Sequence, residues 1–253
     1  MSKNINLIVC DVDGTLLPKN EHKICSKVKN MIDSVKKSEI NFALASGRSK
    51  LSLTDLFNGS EDIFLVCLDG SVISHNGEII FNHPIPQDKL KKTIPKLNGN
   101  DFILYGIDSV YTDSEKIISG LTDAEKKALK SLSDFDYIEK IYKIAIFSIQ
   151  GTDCYAVRYI KSNNLLNLCY SSPFWVEYID TGTDKGIALE FLQKYTGTCF
   201  EATAAFGDNI NDIGMLKKAY FSYAVGNARP EIKALTKFST DNAADEIVNN
   251  ILK

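Results

Sequence analysis

Residues Leu7 to Pro18 read LIVCDVDGTLLP: an apolar run leads straight into Asp11, Asp13, Gly14 and Thr15. Carboxylates at i and i+2 would face the same side of a continuing strand, and Gly14 breaks that strand so that backbone can approach something closely. Two anions so near repel, so at least one needs a proton or a cation. Asp208, in FEATAAFGDNIND, brings a third carboxylate from another strand end, with Asn211 and Asp212 just beyond it. Oxygen ligands without His or Cys describe a hard cation, and Mg²⁺ suits them because it typically keeps several waters and adds a phosphate oxygen. Any one of these aspartates would also suit an ordinary strand-end turn. Turn chemistry does not explain several converging.

A second group suits an anion. Ser46 can donate a hydroxyl, Gly47 exposes a backbone N–H, and Lys185 supplies a point charge from the first turn of a helix, where the macrodipole disfavours a cation. A lysine placed there is better explained by an anion it must reach than by solvent, although Asp184 beside it allows a surface pair. Arg48 reads as exposed or structural and not as a phosphate contact. Cation, phosphate clamp and paired aspartates together suggest phosphoryl transfer. One aspartate can attack phosphorus to give an aspartyl-phosphate, and its neighbour can protonate the leaving oxygen and then deprotonate the incoming water.

These residues need elements that bring strand ends together. INLIVC, INFALAS and IFLVCL are apolar runs separated by helical spacing at Ile24, Val28, Met31, Ile32 and Val35 and by a helix over SKLSLTDLF. Strand–helix alternation requires crossovers, hence a parallel sheet with helices on both faces, and ligands bind beyond the carboxyl ends of such strands. His83-Pro84 and Pro86 mark a hinge. From there to about Asp180 the pattern is α+β: a hairpin of DFILYG and SVYTD, a helix over TDAEKKALKSL, a strand IYKIAIFSI, a helix TDCYAVRYIKS, then strands LLNLCYSS and FWVEYID. The alternation returns in DKGIALEFLQKY, FEATAAFGDN, DIGMLKKA, FSYAVGNA and PEIKALTKF. The expected architecture is α/β: a Rossmann-like parallel-sheet core of residues 1–82 and 182–253, with an inserted α+β cap of residues 83–181.

Composition excludes other classes. At 253 residues and net charge −3, with Lys and Arg dispersed, the chain lacks the basic patch a nucleic-acid or anionic-membrane surface needs. No apolar run approaches the ~18 residues of a membrane span, and MSKNINLIVCD runs into charge too soon for a signal peptide. Six cysteines without CxxC spacing and three histidines (His22, His75, His83) argue against a zinc site and for reduced buried thiols. The expected setting is cytoplasmic; oligomeric state is not readable.

With these motifs in order, the sequence resembles the haloacid dehalogenase superfamily of phosphohydrolases. Its DxDGT motif is matched by LIVCDVDGTLL, its Ser/Thr strand end by FALASGR at Ser46, its lysine by Lys185 in DKGIALEFL, and its acidic motif by AFGDNINDIGML; the tail YAVGNARPEIK resembles the Cof-type subfamily. The resemblance implies that Asp11 is nucleophile and metal ligand, and that Asp13 is general acid/base with its main-chain carbonyl on Mg²⁺. It implies that Ser46, Lys185 and Asn211 hold the phosphoryl group, beside the backbone N–H already read at Gly47. Asp208 would bind the metal, and Asp212 would support the metal shell or orient Lys185. About 32 residues separate Asp13 from Ser46 and about 138 separate Ser46 from Lys185, so the insertion falls in the second gap and resembles the C2-type cap, implying small phosphorylated substrates, sugar phosphates first. Asp69-Gly70-Ser71 departs from the usual Asn-Gly-Ala and leaves the polarity of the pocket rim open. Tyr105, Tyr111 and Trp175 could stack on a sugar or simply pack. A phosphosugar mutase and a lapsed phosphate-binding protein are the competing readings.

Overall fold

The computed structural model describes residues 5–18, 21, 23–58, 62–169 and 174–253. Strand β1 (Leu7–Asp11) is buried at all five positions, as an apolar run covered on both faces should be. Helix α1 (Ser26–Lys36) turns Val28, Met31, Ile32 and Val35 inward, at the spacing of one helical face. There follow β2 (Asn41–Ala45), α2 (Lys50–Leu56), whose N-cap Ser49 accepts from the Ser52 N–H, and β3 (Phe64–Cys67). Two further strands, β4 (Val72–His75) and β5 (Glu78–Asn82), form an antiparallel hairpin closed by Asn76 and Gly77, both at positive φ.

The chain then crosses to a second sheet through α3 (Gln87–Thr93). Its strands and helices are β6 (Asp101–Tyr105), β7 (Val110–Tyr111), α4 (Glu115–Gly120), α5 (Asp123–Lys127), β8 (Leu129–Lys130), β9 (Lys143–Phe147), α6 (Tyr155–Ser162), β10 (Asn167–Leu168) and β11 (Trp175–Ile179). It returns through α7 (Lys185–Thr196), β12 (Thr203–Gly207), α8 (Ile213–Lys217), β13 (Phe221–Val225), α9 (Pro230–Leu235), β14 (Phe238–Thr240) and α10 (Ala243–Glu246). His83 and Lys89 on the outgoing strand of chain both bind Asp180 on the returning one, at 2.8 and 2.6 Å, tying the two crossings together.

The first sheet runs β14-β13-β12-β1-β2-β3-β4-β5, parallel through β3 and antiparallel beyond. The α/β architecture expected from the alternation is present, extended by the β4–β5 hairpin. Helix α7 packs on α8 and α8 on α9, while α1 packs on α10. β1 lies between β12 and β2, so Asp11, Ser46 and Asp208 finish at one edge.

The second sheet runs β10-β11-β9-β6-β7-β8. Phe102, Leu104, Ile144, Ile146 and Val176 face a core shared with α3 and α6. Ile103 and Ala145 face the other way, toward Ile117 and Leu121, with Tyr105 and Trp175 beside them. Strict alternation therefore puts Lys143 and Glu177 on that same face. The helix expected over TDAEKKALKSL ends at Lys127. Its remaining residues complete the sheet edge instead, with Val110 N–H donating to Ala128 and Thr112 N–H to Lys130, so satisfied strand backbone outweighs helix propensity. Of the strand expected over LLNLCYSS, Asn167–Leu168 is observed, and residues 170–172 lie outside the described residues. His22 also lies outside them. No described helix is long and apolar enough to cross a membrane.

Candidate active site

The centre of the site is a buried charge cluster. Lys185 is the first residue of α7, and its neighbour Asp184 caps that helix by accepting from the Ile187 N–H at 2.7 Å. Its side chain is 0% exposed and donates to Asp11 Oδ1 at 2.6 Å and Asp212 Oδ1 at 2.7 Å. Asp212 is saturated: its Oδ2 accepts the N–H groups of Asp208 and Asn209, both at 3.0 Å. It therefore orients Lys185 and fixes the loop after β12. One carboxylate oxygen each from Asp11, Asp208 and Asp212 lie within 4.8 Å of one another.

Charge decides what this cluster lacks. Burial pushes the Asp11 carboxyl well above the usual carboxylate range, Asp212 pushes it further, and Lys185 opposes both. For Lys185, burial would lower the ammonium, but Asp11 and Asp212 outweigh it and raise it. Asp11 Oδ2 is buried and has no hydrogen-bond partner among the described residues. An orphaned buried carboxylate oxygen is costly, and a hard divalent cation is the group that an all-oxygen donor set would satisfy. The residues present thus fit Mg²⁺.

Gly14 shows how tightly the two acidic loops approach. Its φ is +96°, and a Cβ there would lie 2.5 Å from Asp208 Oδ2. Asn227 bridges the same loops, donating to Gly14 O at 2.8 Å and Asp208 Oδ2 at 3.4 Å. Gly14→Ala must therefore strain the turn and push Asp208 out of place. The expected outcome is a lower thermal midpoint and an Mg²⁺ requirement for thermal stabilisation raised roughly tenfold. A Mg²⁺ titration of the melting curve checks it; an unchanged midpoint would show that the loops have slack.

Asp13 points elsewhere. Its side chain is 46% exposed and is gripped by the Arg48 guanidinium, with Nη2 to Oδ1 at 2.8 Å and Nε to Oδ2 at 2.9 Å, while Ser46 Oγ donates to Oδ2 at 3.2 Å. The Asp13 carboxylate is accordingly not in the oxygen cluster, which Asp212 joins instead. Arg48, read from sequence as exposed or structural, is the fork that draws Asp13 outward. Asn211, in the short helical turn after Asp208, donates to Asp69 Oδ1 at 2.9 Å. The carbonyl of Gly47 accepts from Lys143, 96 residues away.

Asp11, Asp13, Gly47, Arg48, Asp69 and Asn211 line one wall of a cavity of about 670 Å³. Tyr105, Glu125, Lys143, Trp175 and Glu177 from the second sheet and its helices line the other. Tyr111 is not among them: it is buried in the second core and donates to Glu139. Sequence reasoning missed Lys143, Glu177, Glu125 and Asn227. The signal for Lys143 was present, since it is the only charge inside IYKIAIF.

The arrangement offers an attacking carboxylate, an adjacent carboxylate able to exchange protons with solvent, and cationic and amide donors around them. The sequence model of a family described as haloacid dehalogenase-like hydrolase matches residues 8–252. An HMP-PP phosphatase of Escherichia coli O6:H1 is 25% identical over 243 residues, covering 90% of this chain and 86% of that protein. The 5-amino-6-(5-phospho-D-ribitylamino)uracil phosphatase YbjI of Escherichia coli K12 is 25% identical, covering 99% of this chain and 97% of that protein. A crystal structure of a haloacid dehalogenase-like hydrolase from Bacteroides thetaiotaomicron superposes with a TM-score of 0.85 at 24% identity, covering 96% of this chain and 98% of that one.

Proposed function

The chain belongs to the haloacid dehalogenase-like hydrolases, and from that membership we propose that it is a Mg²⁺-dependent phosphatase of small phosphorylated metabolites. The observation that carries the reading is Asp11: a buried carboxylate, held by Lys185 through one oxygen, with the other oxygen unclaimed at the floor of a metabolite-sized cavity. Asp11 and Asp208, with the main-chain carbonyl of Asp13, are the residues we assign to Mg²⁺, and Asp212 supports them. Bound there, Mg²⁺ would offset the gathered carboxylates and the charge of the phosphoryl oxygens.

Asp11 attacks phosphorus, the P–O bond to the leaving group breaks, and Asp13 gives that oxygen its proton. Water then attacks the phosphorus of the aspartyl-phosphate, Asp13 takes the proton, and phosphate departs with Asp11 restored. An ammonium has three donors, of which Lys185 uses two on Asp11 and Asp212, leaving one for a phosphoryl oxygen. Gly47 and Asn211 line the same wall of the cavity for the remaining oxygens, and Ser46, buried and donating its hydroxyl to Asp13, must turn it from Asp13 to serve the phosphoryl group. Arg48 grips both oxygens of the Asp13 side chain, so its fork must open before Asp13 can reach the leaving group.

We assign the second sheet and its helices, residues 83–181, as the cap that reads the leaving group. Glu177 presents a carboxylate on that wall as an acceptor for hydroxyls, which suits sugar phosphates, while the Glu125 carboxylate is held by Ser49 and Thr122. Trp175 and Tyr105 line the same wall and favour a second class, phosphorylated pyrimidines. One of the similar enzymes is named for a ribitylaminouracil phosphate.

Phosphate release from a panel of sugar phosphates, pyrimidine-nucleoside and pyrimidine-base phosphates and an aryl phosphate tests this. Release is expected with Mg²⁺, abolished by EDTA and restored by excess Mg²⁺. No release, but conversion of a sugar 1-phosphate to its 6-phosphate once a sugar bisphosphate is added, would instead identify a mutase, and neither reaction would leave a phosphate-binding protein.

A further inference from the structure

The charge pair that joins the two sheets is not explained by the chemistry above. Lys143 opens β9 of the second sheet, yet its ammonium reaches across the cavity to the first. It donates to Asp69 Oδ2 at 2.8 Å, to Gly47 O at 2.9 Å and to Glu177, and its side chain is 2% exposed. All three ammonium donors are therefore spent on protein acceptors. A buried lysine whose every donor is engaged is poorly placed to bind substrate itself.

Asp69 is the other half. Its Oδ2 takes Lys143 and its Oδ1 takes the Asn211 amide at 2.9 Å. Burial would raise this carboxyl, but Lys143, Lys185 and the Asn211 bond outweigh it and hold it down at about 2. Only a carboxylate can do both tasks, because an asparagine has one acceptor atom and would have to release either the lysine or the amide.

The backbone under Asp69 is held in an uncommon shape. Leu68 and Asp69 lie at φ +52° and +54°, a region non-glycine residues seldom occupy. Their N–H groups donate to Arg48 O at 2.9 Å and Ser46 O at 3.0 Å. Gly70 follows, pressed so close that a Cβ would meet Asp184 O at 2.3 Å, and its carbonyl accepts from Thr183 Oγ1 at 3.0 Å. The turn is thus wedged between the loop carrying Ser46 and the start of the helix carrying Lys185.

We propose that Asp69 and Lys143 are positioning residues: through Asp69, the seating of Lys143 from the second sheet sets the Asn211 amide and the Ser46–Gly47 loop in their phosphate-holding arrangement. The two sheets are then coupled in function as well as in contact, and a cap seated without Lys143 leaves a loose phosphate cradle. This rests on the reading that the site takes phosphoryl groups.

The test is a double-mutant cycle with Asp69→Asn and Lys143→Met, read by the inhibition constant of inorganic phosphate and by kcat and KM on the best substrate. Each single change is expected to raise the phosphate inhibition constant roughly tenfold, and the double variant no further than the worse single. Asp108→Asn is the control. It breaks the Lys50–Asp108 pair (2.6 Å) between α2 and the β6–β7 turn, loosening contact between the two sheets without touching the cradle, and should leave the constant within about twofold. If Asp69→Asn fails to fold, Lys143→Met against Asp108→Asn carries the same comparison from the second sheet alone. Effects that add in the double variant, an equal effect of Asp108→Asn, or a loss of thermal stability with phosphate affinity unchanged would each overturn the proposal. A wild type that neither releases nor binds phosphate would overturn the function beneath it as well; an active wild type with indifferent variants overturns the coupling alone.

Discussion

Asp11→Asn is expected to abolish phosphate release and, in metal-free buffer, to raise the thermal midpoint. The first half follows from chemistry: an amide has no nucleophilic oxygen anion, and removing a covalent nucleophile costs on the order of 10³-fold or more in kcat. The second half follows from electrostatics. Without a cation, Asp11 and Asp212 share Lys185 in a buried site that Asp208 also joins, and Asp11 is pushed well above the usual carboxylate range mainly by that burial. The carboxylate is therefore a cost to the folded state near neutral pH. Asparagine removes that charge, keeps an acceptor for Lys185 and offers an amide to the neighbouring carboxylates, while Lys185 retains Asp212 at 2.7 Å. A relief of about 1 kcal/mol would raise the midpoint of a chain this size by roughly 2–4 °C. Added Mg²⁺ should narrow the gap, because it offsets the charge in the wild type and finds less of it in the variant. Differential scanning fluorimetry with EDTA and with Mg²⁺, beside the activity assay, reads both halves. An active variant would remove Asp11 from the nucleophile's role, and an inactive one with a sharply lower midpoint would make it a structural partner of Lys185.

The parts of this site that were legible are those where the sequence is locally compelled. A strand buried at every position cannot end in carboxylates without a reason, so Asp11 and Asp208 announced themselves, and Lys185 did so by standing against a helix dipole. The β4–β5 hairpin is encoded in Asn76-Gly77, the dipeptide best suited to a tight turn with positive φ, but it breaks the alternation of strand and helix on which the parallel-sheet expectation rests. The helix over TDAEKKALKSL was cut short by hydrogen bonds to β7, which no local pattern encodes. Long-range pairs were out of reach for the same reason. Arg48 meets Asp13 across 35 residues and Lys143 meets Asp69 across 74, and nothing in either neighbourhood names the partner. What could be read was anomaly without address: a lone lysine in an apolar strand, and an aspartate in a turn pinned between two functional loops.

Lys185→Met should be the most damaging single change to both rate and stability. Methionine keeps the length of the side chain and removes its charge, so Asp11 and Asp212, linked through that ammonium at 2.6 and 2.7 Å, face one another unpaired in a site with almost no solvent. Breaking a buried pair in this way typically costs about 3–5 kcal/mol, against about 0.3–1 kcal/mol recovered by taking a cation away from a helix N-terminus. The pair dominates, and the midpoint should fall by roughly 10 °C. The rate should fall on the order of 10²–10³-fold, the scale for losing one charged donor to the developing transition state. The pH dependence separates this account from simple loss of packing. Asp11 is raised in the fold already, and without Lys185, the principal group opposing that rise, it must rise further. A carboxyl raised on folding binds more protons in the native state than in the unfolded one between its two pKa values, so stability falls as pH rises through that window and returns as pH falls. The variant should therefore regain much of its lost midpoint, relative to wild type, as pH falls from above the raised pKa of Asp11 toward the ordinary carboxylate range, and Mg²⁺ should rescue it at the higher pH without restoring the rate. A deficit in midpoint that is constant across pH and indifferent to Mg²⁺ would mean that Lys185 contributes packing and not charge, and would remove it as the side chain that supports the ionisation of Asp11.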